Sequence, residues 1–211
     1  MQRINEEDIL NFETRYRAQF INSITGFKSL GLVGSRSHEG NTNLAIFSSF
    51  THLGSNPALL ACIFRPDSVE RHTLSNILQT GFYTFNHIHE NIYQQAHQTS
   101  ARYAREISEF DAVGLTPEYK NGFWAPFCQE SFLQVGLELK EKIDITINGT
   151  IMVIGQVKEV YIPDNTLHPD GYVDVEKAQT LCCSGLDSYH KTKRLHRLSY
   201  AKTDKEVTFL T

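Results

Sequence analysis

The chain has 211 residues, 40% of them hydrophobic and 21% charged, with a formal net charge of -4. These values suit one large or two small globular domains with a sizeable core. They exclude a global basic field that would draw the chain to nucleic acid or an anionic membrane. The first eight residues, Met-Gln-Arg-Ile-Asn-Glu-Glu-Asp, are acidic and hold no apolar run, so they do not read as a secretory signal. No stretch approaches the roughly 18 apolar residues of a membrane span. Cys62, Cys128, Cys182 and Cys183 form no C-x-x-C pair. They read as reduced thiols of a cytoplasmic protein, with no metal site expected.

In chain order, residues 5 to 18 read as one or two short surface helices, followed by a connector from Phe20 to Thr25. Ser29 to Ser35 reads as a strand whose two glycines imply a bend or close approach of another backbone. Thr42 to Phe50 alternates as a strand, and Gly54-Ser55-Asn56-Pro57 is turn chemistry. Ala58 to Phe64 is apolar on both faces, which suits a buried strand. Thr73 to Thr80 forms a short helix with Leu74, Ile77 and Leu78 as its apolar stripe, Thr73 as N-cap and Gly81 as stop. Phe82 to His87 alternates as a strand, Asn91 to Ala104 is loosely helical, and Ser108 to Val113 is a helix with Ser108 as N-cap and Gly114 as stop. Ser131 to Ile147 and Thr150 to Ile162 read as a hairpin closed by a type I′ turn at Asn148-Gly149. Glu176 to Leu181 has some helical character, and a base-rich tail follows Asp187. Six or so strands with irregularly inserted helices argue for a mostly antiparallel barrel, not a doubly wound parallel sheet.

The chain holds no G-x-S-x-G elbow, P-loop or G-x-G-x-x-G sequence. A phosphate would have to be held by side chains and a helix terminus. Arg65, Arg71, His72, Thr73 and Asn76 cluster around such a terminus, and Ser48 and Ser49 can add hydroxyls from the neighbouring strand. The bland alternative is that Thr73 only caps its helix and Arg71 only meets solvent. His87 and His89 share a strand face, and strand-end histidines bonded to backbone or water explain them better than a metal pair. His97, Thr99 and Ser100 read as a polar helix end.

Asn43-Leu-Ala-Ile-Phe-Ser-Ser49, Ser55-Asn-Pro57, Arg65-Pro66 and Arg71-His-Thr-Leu-x-Asn-Ile77 together form a pattern. It is continued by Phe82 to His87, Ala96 to Ala101, Glu109 to Leu115, Asn148-Gly149 and Ser184-Gly-Leu186. In this order they resemble the flavin reductase-like family of FMN-binding split β-barrels, over roughly residues 20 to 200. The resemblance implies a mainly β fold, a six-stranded antiparallel split barrel with peripheral helices. It implies an N-terminal helical arm at 1 to 19, a barrel domain at 20 to 200 and a tail at 201 to 211. It implies a homodimer with FMN near the subunit interface. The isoalloxazine would lie along Asn43, Leu44, Ala45, Ile46, Phe47, Ser48 and Ser49, with Asn86 near. The phosphate would be held by Arg71, His72 and Thr73, with Asn76 beside them. The implied activity is hydride transfer from NAD(P)H to flavin N5, with reduced flavin passed to oxygen or to a partner such as a monooxygenase. His97 or His52 is the candidate for assisting protonation. A non-catalytic FMN-binding electron carrier or flavin store is the alternative. Two departures bear on the ring: Ala45-Ile46 stands where many members have Ala-Pro, and Asn56-Pro57 where many have Pro-Pro.

Overall fold

The computed structural model describes residues 1–66 and 71–210. Two helices lead the chain, α1 (Glu6–Asn11) and α2 (Thr14–Ile24). α1 starts at a reciprocal cap, in which the Asn5 side chain accepts from the Asp8 amide and the Asp8 carboxylate accepts from the Asn5 amide. α2 runs through the segment expected as a connector, so a boundary at residue 19 would fall inside a helix.

β1 (Lys28–Ser29), β2 (Gly31–Arg36), β3 (Thr42–Phe47), β4 (Thr51–Ser55) and β5 (Ala58–Phe64) follow. Then come α3 (His72–Thr80), β6 (Phe82–His87), α4 (Tyr93–Gln98), α5 (Glu109–Val113), β7 (Pro117–Glu118) and β8 (Phe127–Cys128). The long hairpin β9 (Gln134–Ile145) and β10 (Thr150–Tyr161) precedes four short strands, β11 (Cys182–Ser184), β12 (Ser188–His190), β13 (Arg197–Leu198) and β14 (Phe209–Leu210). Seven strands form one antiparallel sheet in the order β3-β2-β6-β9-β10-β5-β4. The sheet curls into a barrel that its backbone ladder does not close. The Ser49 hydroxyl, just past β3, links that edge to β5 by donating to the Ile63 carbonyl at 2.8 Å and accepting from the Ile63 amide at 3.2 Å.

The mainly β split barrel is therefore as expected, with one strand more than six. Thr51–Ser55, which includes the Gly54-Ser55 of the expected turn, pairs with β5 as an edge strand. An edge strand tolerates His52, Gly54 and Ser55 because one side of it faces water. The β9–β10 loop also differs. Of its two central residues only Gly149 has positive φ, at 73°, so the type I′ turn is replaced by a four-residue loop in which the Gly149 amide bonds the Ile145 carbonyl. The helical reading of Asn91 to Ala104 shrinks to Tyr93–Gln98, and residues 175–179 form turns.

Two cores lie on opposite faces of the sheet. The barrel interior holds Val33, Phe64, Tyr83, Phe85, Leu137 and Val153, and α3 buries Leu74 and Ile77 against them. Each such side chain contributes on the order of 2 kcal/mol. Leu78, expected on the same stripe, is 43% exposed. The outer face holds Leu32, Leu44, Ile88, Ala96, Phe110 and Cys183, which bring α4, α5 and β11 onto the sheet. Gly34 lies where strand and loop meet. A Cβ there would stand 2.2 Å from the Pro126 carbonyl oxygen. This is the close approach that the strand's glycines signalled.

Candidate functional site

β3 is one of the sheet's two edge strands and, among the described residues, pairs with β2 alone. Backbone groups along an antiparallel strand point alternately to either side. The Leu44 amide points away from β2, because it donates to Glu109 Oε2 at 3.0 Å. Alternation then turns the Ile46 amide and carbonyl to the same open side. A run of Asn-Leu-Ala-Ile-Phe can hold such an edge because Leu44 points into the outer core and Phe47 packs on the barrel interior. The edge is thus flanked by apolar walls and carries backbone donors and acceptors.

The N-terminus of α3 lies beside the start of β3. Helix α3 begins one residue before Thr73, with Arg71 as N-cap and no side-chain cap bond among the described residues. The Thr73 hydroxyl instead donates to Asn43 Oδ1 at 2.6 Å. The correction has a physical reason: a buried carbonyl acceptor on β3 competes successfully for the hydroxyl. Among the described residues, the start of α3 therefore lacks a side-chain cap for its first-turn amides. Arg71 Nε is buried without a hydrogen-bond partner among the described residues. A buried, unpartnered guanidinium N–H at an uncapped helix terminus is suited to an anion.

Behind this terminus is a sealed polar network. Asn43 Nδ2 donates to Glu109 Oε2 at 2.5 Å, and Asn76 Nδ2 donates to Ser35 Oγ at 3.2 Å. Thr42 and Ser108 share a hydroxyl hydrogen bond of 2.7 Å. Ser108 is the N-cap of α5 by position, but its hydroxyl serves Thr42 and leaves its own helix without a side-chain cap. Asn43, Thr73, Asn76 and Glu109 are all at most 6% exposed. A cavity of about 10 Å³ bordered by Asn43, His72, Asn76, Arg105 and Glu109 opens beside them, with room for about one water.

The expected residues thus separate. Arg71, His72 and the first turn of α3 come together with the start of β3. Thr73 and Asn76 belong there too, but their side chains are engaged inside the protein. Ile46 and Ser48 lie farther along the edge, and Ser48 opposes the rise in the pKa of the Cys183 thiol. Ser49 serves the barrel seam. Asn86 is fully buried, donating to the Leu32 carbonyl and the Thr84 hydroxyl while accepting from the Cys128 amide. Its polar groups pin β6 and do not reach the open edge. Arg65 is exposed, and residues 67–70 lie outside the described residues. His97 is exposed, and its Nδ1 lies 2.7 Å from the Tyr189 hydroxyl. Tyr189 packs with Ile46 and Tyr93 on the rim of the outer core.

Electrostatics agree with this division. Burial pushes the Tyr189 hydroxyl up to about 12, with Cys183 and Asp187 adding to the shift. Burial also raises the Cys183 thiol, opposed by Lys28 and Ser48, so this cysteine is held as a neutral thiol. His87, expected at a strand end, lies on the barrel-interior face, with its Nδ1 3.2 Å from the Thr180 hydroxyl; burial lowers its pKa to about 4. His89 bonds the Glu130 carbonyl, and no group of three or more potential metal ligands occurs among the described residues. Glu109, Arg105 and Tyr189 were not singled out as site residues in the sequence. The partners of Glu109 and Tyr189 lie far along the chain, so no local spacing marks these two.

The family profile of the flavin reductase like domain matches residues 28–179. The chain belongs to the flavin reductase-like family. A provisionally named flavin reductase with split barrel domain from Shewanella frigidimarina NCIMB 400 superposes with a TM-score of 0.92 at 50% identity, covering 95% of this chain and 100% of the other. Nitrilotriacetate monooxygenase component B from Bacillus cereus matches at TM-score 0.82 and 19% identity, over 94% of this chain and 98% of that one. The 2-nitrobenzoate 2-nitroreductase NbaA of Pseudomonas fluorescens matches at 0.81 and 22%, over 97% and 99%. These last two likenesses speak to the fold. Family membership gives this protein the broad character of a flavin-related oxidoreductase with the split-barrel architecture.

Proposed function

We propose that this protein is an FMN-dependent oxidoreductase that takes hydride from NAD(P)H and hands the reduced flavin's electrons to oxygen or to a partner monooxygenase. One observation carries the reading: an open β3 edge and an α3 terminus that, among the described residues, has no side-chain cap and leaves Arg71 Nε without a hydrogen-bond partner lie together at one end of the sheet. An isoalloxazine offers donors and acceptors along one edge, which the Ile46 backbone can meet. A 5′-phosphate is a dianion, which Arg71, His72, the first-turn amides of α3 and Arg105 at the adjoining cavity can meet.

Bound FMN would supply the hydride acceptor at N5, so the protein itself needs no nucleophile. The protein's share is orientation and charge. The β3 backbone would hold the ring through main-chain bonds, and the half-buried side chains of Ile46 and Tyr189 would offer it apolar surface. His97, exposed and held by the Tyr189 hydroxyl, is the candidate proton-exchanging group at this rim. The resemblance of the fold to a monooxygenase component B suits delivery of electrons to a partner enzyme.

A homodimer fits the surface. The single chain exposes 13023 Å². A compact monomer of this mass, 24.0 kDa, exposes about 10,000 Å². An excess on the order of 3,000 Å² is what an obligate interface can cover. Phe27 (68% exposed), Leu195 (87%) and Phe209 (70%) are part of it. Sedimentation should give a dimer mass. The four free cysteines suit a reducing compartment such as the cytoplasm.

The function is tested by loading the purified chain with FMN and titrating it anaerobically with NADH and NADPH. Bleaching of the yellow absorbance by either nicotinamide supports the reductase. A yellow protein that neither bleaches leaves an FMN carrier. A chain that takes up no FMN contradicts both.

A further inference from the structure

We propose that Glu109 is a positioning residue that sets the spacing between the ring end and the phosphate end of the flavin site. The inference rests on the site proposed above. Glu109 opens the short helix α5, yet its carboxylate turns inward and is 6% exposed. One oxygen, Oε2, takes both the Leu44 amide at 3.0 Å and the Asn43 side-chain amide at 2.5 Å.

These two bonds do different things. The bond to Leu44 occupies the outward-facing amide of β3 that immediately precedes that of Ile46. A ligand ring laid along the edge is thereby denied that donor and must begin at Ile46. The bond to Asn43 fixes which way its side chain points. With Nδ2 held by Glu109, Oδ1 faces α3 and receives the Thr73 hydroxyl at 2.6 Å. Thr73 is the second residue of α3, in the turn whose amides face the anion. One carboxylate therefore ties the ring-bearing strand to the phosphate-bearing helix through a single intervening side chain.

Two simpler roles compete with this one. Glu109 could act only as glue between α5 and β3. In that case its loss weakens folding and changes affinity for every flavin alike. It could also act only through charge. It borders the cavity that His72 and Arg105 line, so it opposes a bound phosphate. In that case neutralising it tightens FMN. Positioning gives a third result. A flavin with a phosphate must reach both ends at once, whereas riboflavin needs only the ring end. Loosening the spacing should then cost FMN more than riboflavin.

The test is a fluorescence titration of the full chain with FMN and with riboflavin, for wild type, Glu109→Gln and Glu109→Ala. The glutamine keeps the shape but offers a neutral carbonyl, a weaker acceptor than the carboxylate for the same two donors, so it loosens the tie and keeps the test valid if the alanine variant fails to fold. The expected result is a fall in FMN affinity of about fivefold or more in Glu109→Gln, with riboflavin affinity changed less than about twofold. An unchanged FMN-to-riboflavin ratio overturns the proposal in favour of simple packing, and a tighter FMN complex overturns it in favour of charge alone. Failure of the wild type to bind either flavin overturns the underlying site as well. That outcome is recognisable because it appears before any substitution is made.

Discussion

At the α3 end of the site, Ser35, Asn43, Thr73, Asn76 and Glu109 are buried and hydrogen-bonded to one another. At the β3–β11 end, Ile46, Ser48 and Tyr189 are half-buried and His97 is exposed. The contrast separates two jobs that a binding site must do. Polar groups that satisfy each other inside the protein cannot also serve a ligand, but they hold the groups that do. Groups left at the surface with unspent backbone or guanidinium donors are the ones free to bind. So Asn43 and Thr73, although central to the sequence pattern, act as a frame. Arg71, His72 and the Ile46 backbone are the contacts we propose.

The division can be broken most forcefully at Asn43. Replacing it with alanine leaves the Glu109 carboxylate and the Thr73 hydroxyl buried without their partner. The expected loss is about 3 kcal/mol of folding stability, measured by chemical denaturation. A loss below about 1 kcal/mol would mean that the network is not the frame.

His87 gives the next largest effect and reports on the other end. Its folded pKa is about 4 against an ordinary 6.5, because burial disfavours the charged ring. Below pH 6.5 the unfolded chain takes up this proton before the folded one does. Stability is therefore fully present above about pH 6.5 and falls as the pH drops towards 4. The imidazole keeps some contact with solvent, so the expected loss is about 2 kcal/mol, less than the full shift implies. Urea denaturation from pH 7 to pH 4 checks it, and His87→Gln should flatten the slope.

Thr73→Val sharpens the comparison. It removes the bond to Asn43 and keeps the first-turn amides. About 1 kcal/mol of stability should go, with FMN affinity lowered less than by Arg71→Ala. The smallest effect belongs to Tyr189→Phe. It frees His97 at an exposed position and should change stability by less than about 1 kcal/mol, as thermal unfolding will show.

Much of this was legible in the chain itself. Alternation and apolar runs give β5 and β6 with the bounds observed, and the glycine stops at Gly81 and Gly114 adopt the left-handed conformation expected of them. The ordered motifs name the family. Other features depend on partners that no local pattern reveals. Thr51–Ser55 is a strand because β5 pairs with it, despite a composition suited to a turn. Thr73 looks like a cap because Thr commonly caps, yet its acceptor is thirty residues back on β3. Glu109 reads as an ordinary first-turn acid until the fold brings Asn43 and Leu44 to it. Local propensity fixes elements, and long-range hydrogen bonds decide what their side chains do.

The central claim is that the free donors at the α3 terminus hold the phosphate of a flavin whose ring lies on the β3 edge. It is tested most directly by titrating wild type and Arg71→Ala with FMN and riboflavin under the same conditions. Wild type is expected to prefer FMN by on the order of tenfold or more. Arg71→Ala should lose most of that preference while unfolding at nearly the same temperature. Equal affinity of the wild type for the two flavins, or an undiminished preference in Arg71→Ala, would contradict the account.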